Sequence, residues 1–183
     1  MVQTNNAAAL HPVHACNDGV FNTPNQVINL LAPTVDMVDP HTIACSLSKL
    51  CRFGGHTIRF YSVAQHSVLV AHLAPLWLRR EALMHDAAEA FIGDVIKPLK
   101  NLLTGIKEVE ERFMKVIVER YELKPERLEY IKMYDMQALE IEHEMLQKNK
   151  VPGGLPIELQ YAWTHETARA KFVDWMNTYN LIK

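Results

Sequence analysis

The stretch Ser62-Val-Ala-Gln-His-Ser-Val-Leu-Val-Ala-His-Leu73 decides the fold class. Ser62 followed three residues later by Gln65 is a capping-box pattern, in which a hydroxyl and a carboxamide satisfy the free amides of a first helical turn. Val63, His66, Val70 and Leu73 then share one face at helical spacing, and Pro75 ends the run. This is a helix whose apolar face carries a histidine.

Helical spacing recurs on both sides of it. Ile43, Ala44, Leu47 and Leu50 predict a helix over residues 42–51, which Gly54-Gly55 closes. A further helix is expected from Leu78 to about Phe91, with Gly93 after it and Pro98 in the next loop. Val109, Phe113, Val116, Ile117 and Tyr121 form an amphipathic stripe. Pro125 sits near the first turn of a helix reaching about Lys148. Val151-Pro-Gly-Gly-Leu-Pro156 reads as a turn, and a last helix runs from about Thr164 to Tyr179 with Ala168, Phe172, Trp175 and Met176 on one side.

Residues 1–40 hold Asn17-Asp18-Gly19, Pro12, Pro24, Pro33 and Pro40 and no sustained period, so they read as loop. No segment alternates as a strand does; Ile58 to Tyr61 is the only β-branched and aromatic run, and it is short. The expectation is one all-α domain over residues 1–183: a loop-rich arm at 1–40, a helical core at 41–146, and a C-terminal loop and helix at 147–183. A length of 183 residues suits about one domain.

Nineteen Lys and Arg against 21 Asp and Glu give a net charge of −2, which excludes a generic basic binder of nucleic-acid polymers. A small phosphorylated ligand stays open, because one pocket needs few cations. No run approaches the ~20 apolar residues of a membrane span. Met1 to Leu10 lacks a basic, then apolar, leader pattern, so no signal peptide is expected. Cys16, Cys45 and Cys51 are odd in number and without a CxxC, which points to free thiols and a cytoplasmic setting.

Three polar intrusions into apolar stripes carry the functional reading. His66 occupies a core position. Leu83 and Ala87 face inward beside His85 and Asp86, with Glu89 one turn on. The helix from Pro125 shows the stripe Leu128, Ile131, Asp135, Ala138/Leu139, Glu142, Met145, with Asp135 in the middle of the seam. A buried carboxylate needs a cation, because desolvating it costs several kcal/mol. Two imidazoles and two carboxylates, His66, His85, Asp86 and Asp135, suit a divalent transition metal with room for water or substrate oxygens. The alternative is a separate partner for each group.

The pattern His66…His85-Asp86…Asp135 resembles the H…HD…D signature of the HD-domain metal-dependent phosphohydrolases. The runs Leu47-Ser-Lys-Leu-Cys-Arg-Phe-Gly-Gly-His-Thr57, Phe60-Tyr-Ser-Val-Ala-Gln-His-Ser67, Ala82-Leu-Met-His-Asp-Ala-Ala-Glu-Ala90 and Gly93-Asp94…Lys97-Pro-Leu-Lys100 extend the likeness to the small single-domain nucleotidases of that family. The resemblance covers residues 40–146 closely.

It implies an HD-type helical bundle and one divalent metal (Mn, Co, Zn or Fe, with Mg possible) held by His66, His85, Asp86 and Asp135. It implies assistance from Glu89 and Asp94, and a phosphate contact from Arg52. Phe53 stands where relatives often carry tryptophan. His56, Lys97 and Lys100 are further candidates for substrate contact; for the lysines the competing reading is a solvated loop charge. His11, His14 and Cys16 also resemble a ligand cluster, but lack a fourth partner in reach.

The implied reaction is hydrolysis of the P–O5′ bond of a deoxynucleoside 5′-monophosphate. The alternative is release of triphosphate from a dNTP of the dATP type, which cuts the same bond. A non-catalytic nucleotide-binding module is the remote alternative, and a cyclic-nucleotide or (p)ppGpp hydrolase a less similar one. The implied setting is the cytoplasm of a bacterium or a phage-infected host. The implied partner is a second or further copy of the chain, with the Trp175 helix as a dimer face.

Overall fold

The computed structural model describes residues 19–151 and 153–182. They are mostly helical, with one two-stranded sheet, as the apolar spacing requires. The His11, His14 and Cys16 cluster lies outside the described residues.

Helix α2 (Val63–Leu73) is the axis of the molecule. Ser62 caps it by accepting from the Gln65 amide at 3.1 Å, the hydroxyl half of the expected box; the Gln65 carboxamide is drawn away to Tyr161 and Trp163. Every residue from Val63 to Ala71 is buried, so the helix is enclosed on all sides rather than amphipathic. It packs on α3 (Arg79–Met84), α7 (Pro125–Leu146) and α8 (His165–Thr178). Its buried Gln65 and Ser67 are satisfied. The Gln65 carboxamide donates to the Tyr161 carbonyl and accepts from the Trp163 amide. Ser67 donates to the Val63 carbonyl. Burying such groups without partners costs 1–3 kcal/mol each, on the order of the net gain from burying one large apolar side chain.

The remaining elements close around this axis. Helix α1 (Pro40–Leu47) lies on α8 and on the short α4 (Glu89–Ile92). Helix α6 (Ile106–Arg120) packs on α4, where Phe91 and Phe113 stack at 4.5 Å with their planes 10° apart. The four-residue α5 (Lys97–Lys100) links α4 to α6, with Pro98 inside it rather than in a loop.

Four expectations are corrected. Residues 20–29 form an antiparallel hairpin, β1 (Val20–Asn22) and β2 (Val27–Asn29), with Phe21 opposite Ile28. Three-residue strands are too short to show alternation, and the fully buried Ile28 anchors the hairpin to the core. Helix α1 begins at Pro40 and ends at Leu47, because the Asp39 carboxylate accepts from the His41 and Thr42 amides and Pro40 pre-sets the first turn. The continuous helix expected over 78–91 is broken. Bonds from Ala87 to Met84 and from Glu89 to Asp86 tighten the chain, and the His85 ring donates to the Ala82 carbonyl. Finally, the buried stripe of α7 runs through Ile131, Ala138, Glu142 and Met145, while Leu139 is exposed and Asp135 lies at the stripe's edge.

The apolar side of the last helix is spent within the chain: Phe172 and Met176 are in the core, and Trp175 packs on Tyr179 and under Arg79. No helix among the described residues is long and apolar enough to cross a membrane.

Candidate metal centre

The break between α3 and α4 is what assembles the site. Tightening at residues 85–88 presents His85 and Asp86 side by side to α2 and α7. His66 comes from the middle of α2, fully buried, and Asp135 from α7 with its side chain 42% exposed to the site's mouth. The ligand atoms of His66, His85 and Asp135 all lie within 4.8 Å of one another, a group that could hold a metal ion.

The contacts are specific. His66 Nε2 lies 3.2 Å from Asp135 Oδ1 and 3.4 Å from Asp86 Oδ2. His85 Nε2 lies 3.2 Å from Asp86 Oδ2. The other nitrogen of each ring is engaged: His66 Nδ1 with Glu142 Oε1 at 2.7 Å, His85 Nδ1 with the Ala82 carbonyl at 2.8 Å. Both acceptors take a proton only from Nδ1, so neutral rings direct their Nε2 lone pairs at the carboxylates. Both Nε2 atoms are buried with no hydrogen-bond partner. Lone pairs facing carboxylate oxygens at this range repel unless a positive charge stands among them. Donors about 2.0–2.1 Å from a divalent transition metal stand about 3.0–3.4 Å apart, the spacing of these three nitrogen–oxygen contacts.

The electrostatics state the same demand. Four carboxylates, Asp86, Glu89, Asp94 and Glu142, converge on one guanidinium, Arg52, while Asp135 faces His66 and His85. Burial and Arg52 push the His66 imidazolium down, but Glu142, Asp135 and Asp86 outweigh them and raise it well above the ordinary value. Burial would raise Asp86, Asp135 and Glu142, yet the two histidines hold Asp86 low, His66 and His85 hold Asp135 low, and His66 and Arg52 hold Glu142 low.

Glu89 and Asp94 behave oppositely. Glu89 is 7% exposed, and burial together with Asp86 and Asp94 pushes its carboxyl up to about 9. It therefore keeps its proton at neutral pH. Gly93, with φ of +83°, ends α4 and turns the chain so that Asp94 follows directly. Burial also raises Asp94, with Arg52 opposing, its Nη1 4.0 Å from Asp94 Oδ2.

Arg52 opens a tight turn, Arg52–Gly55, in which Phe53, Gly54 and Gly55 all have positive φ. The Gly-Gly pair makes this turn possible, and Phe53 accepts a left-handed conformation beneath the Arg52 guanidinium, 5.4 Å from its ring centre. The turn's base is fixed by the Cys51–Ser62 bridge and by the Arg52 amide on the Tyr61 carbonyl. Arg52 Nη2 donates to Glu142 Oε2 at 3.1 Å.

The other expected substrate contacts, His56, Lys97 and Lys100, are exposed or half-buried. His56 is exposed; its amide closes the turn on Phe53 and its carbonyl accepts from Gln147. Lys97 is exposed at the start of α5, and Lys100 pairs with Glu110 of α6. Trp163 is a core residue, donating to the Glu158 carbonyl, and Trp77 packs on Tyr130 and Arg127.

The functional residue the sequence reading passes over is Glu142. It stands in the α7 stripe seven residues after Asp135, fully buried, and a carboxylate in an apolar seam was the available signal.

The fold and site thus define a mostly helical protein with a His/His/Asp group that could hold a metal ion. No family model matches the chain. It is similar to the uncharacterized protein YfdR of Escherichia coli K12, 48% identical over 104 residues, which are 57% of this chain and 58% of the relative. An uncharacterized Rhodobacter capsulatus protein is 35% identical over 107 residues, 52% of this chain and 54% of the relative. The chain spans about half the length of the curated relatives it matches, and neither name states an activity.

Proposed function

We propose that this chain is a metal-dependent phosphohydrolase of the HD type, cleaving the P–O5′ bond of deoxynucleoside 5′-monophosphates. The observation that carries the reading is the placement of a His66/His85/Asp135 group beside a buried carboxyl, Glu89, whose nearest charged neighbours are Asp86 and Asp94. His66, His85, Asp86 and Asp135 would hold the metal, and two imidazoles favour Zn, Mn, Co or Fe over Mg. A bound divalent metal supplies Lewis acidity toward a phosphoryl oxygen.

The chain's own residues supply the rest. Arg52, pre-oriented by Glu142, offers its remaining guanidinium donors to the phosphate. Asp94 accepts a hydrogen bond from the attacking water, orients it in line with the leaving oxygen and takes up the proton the water releases on attack. Glu89 gives its proton to O5′ as the alkoxide leaves, and burial at 7% exposure keeps that proton available. Two of the cations that could hold β- and γ-phosphates are engaged elsewhere, Lys100 with Glu110 and Arg59 with Asn149, which favours the monophosphate as substrate.

The test is a product assay on metal-stripped protein given Mn²⁺, Co²⁺, Zn²⁺ or Mg²⁺ singly, with dAMP, dATP, AMP, ATP, dGTP and dTTP. Ion-exchange chromatography resolves nucleoside, orthophosphate, pyrophosphate and triphosphate. Deoxynucleoside with orthophosphate from dAMP is expected. Intact triphosphate from dATP would transfer the reading to a triphosphohydrolase, and no metal-dependent product from any substrate would reject it.

A further inference from the structure

Glu142 is fully buried on α7, behind the residues assigned to metal and phosphate and not among them. Its two oxygens have different clients. Oε1 takes the His66 Nδ1 proton at 2.7 Å, and Oε2 takes an Arg52 Nη2 proton at 3.1 Å. The buried Tyr61 hydroxyl lies within the electrostatic reach of both Glu142 and Arg52.

The first contact decides a tautomer. His66 Nε2 faces Asp135 Oδ1 at 3.2 Å and Asp86 Oδ2 at 3.4 Å. Those carboxylates attract a proton to Nε2, where it would block coordination. Glu142 competes from the other edge of the ring with a shorter contact, drawing the neutral ring's proton to Nδ1 and leaving the Nε2 lone pair for a metal. The second contact fixes the Arg52 fork, which sits on a turn with three consecutive positive-φ residues and has no helix of its own to orient it.

We propose that Glu142 is the positioning residue of this site, one buried carboxylate that keeps His66 a ligand through Nε2 and holds the Arg52 guanidinium in place. Metal capture and anion binding are thereby set by the same side chain. The Arg52 half rests on the proposed function; the His66 half does not. Glutamine cannot replace it. With its oxygen toward His66 its amide N–H faces the Arg52 N–H, and with its oxygen toward Arg52 it faces the His66 Nδ1–H, so one client is always lost.

The experiment uses the full chain and reads no turnover. Long-range ¹H–¹⁵N correlation on the metal-stripped wild type should show His66 protonated at Nδ1 when neutral, and wild-type protein protonated at Nε2 overturns the proposal without any variant. Chelator competition with Co²⁺ should show Glu142→Gln binding 10–100-fold more weakly, the usual effect of losing a carboxylate behind a ligand histidine. Glu142→Asp should recover part of that affinity. Inorganic phosphate should bind the Co²⁺-loaded variant at least tenfold more weakly than the loaded wild type. A folded Glu142→Gln, by its helical circular dichroism, with Co²⁺ affinity within twofold of wild type would refute the positioning of His66. Weakened Co²⁺ binding with unchanged phosphate affinity would refute the Arg52 half. Because none of these readings needs hydrolysis, failure to hydrolyse any nucleotide rejects the proposed function alone.

Discussion

Glu89→Gln should make the metal-stripped protein more stable, and increasingly so as pH rises. Burial first, then Asp86 and Asp94, move the Glu89 carboxyl from its ordinary 4.5 to about 9. Below 4.5 the folded and unfolded chains both hold the proton, and the group favours neither. Between 4.5 and 9 the unfolded chain releases a proton that the folded chain keeps, so stability falls by about 1.4 kcal/mol per pH unit. From pH 5 to pH 8 that amounts to about 4 kcal/mol. Glutamine keeps the shape and is neutral throughout, so it escapes this loss. Asp94 is raised too, chiefly by burial, but it titrates in both proteins and cancels in the comparison. Urea unfolding of both proteins, followed by far-ultraviolet circular dichroism at pH 5, 6.5 and 8, gives the difference directly. Parallel stability curves, with the same gap at pH 5 and pH 8, would refute the claim that Glu89 is buried as a neutral acid.

Further outcomes follow from the same geometry. Asp135→Asn removes one anionic donor and should lower metal affinity at least tenfold. Its side chain is 42% exposed, so helical circular dichroism should hardly change; a full metal complement after dialysis, read by elemental mass spectrometry, would contradict the ligand role. Arg52→Ala leaves Glu142 buried without its cation, which costs about 3–5 kcal/mol of unfolding free energy. The same variant should lose at least tenfold in kcat/KM on a deoxynucleoside monophosphate, about 1.4 kcal/mol. Phe113→Ala deletes the stack against Phe91 on α4, both rings buried, and should destabilise by about 3–5 kcal/mol. A cost under 1 kcal/mol in chemical denaturation would mean that the α4–α6 contact does not hold the Glu89 helix in place.

Much of the fold is legible from apolar spacing alone. The Ser62–Gln65 box marks the start of α2, Pro125 the start of α7 and Thr164 the start of α8, because capping and the fixed φ of proline act within one turn. The hairpin at 20–29 is not legible, since its strands are held by Ile28 reaching the core rather than by their own pattern. Nor is the break at 85–88: Leu83 to Phe91 has an unbroken helical stripe, and the tight turns there depend on where the His85 ring finds its carbonyl. The candidate metal group is legible because a His or Asp inside an apolar stripe contradicts the stripe. Glu142 contradicted it equally, and its role becomes visible only beside Arg52, 90 residues away in the chain.

By itself the sequence determined most of the helices and the polar residues that interrupt their apolar stripes, since each depends on neighbours three or four positions away. Only the tertiary structure decided how those polar residues divide the work. It set Asp135 at the open edge and Glu142 in the sealed interior of one helix, left Lys100 on Glu110, and gave Glu89 a burial that keeps its proton. Burial and charge neighbourhood are sums over elements far apart in sequence, and no local pattern contains them.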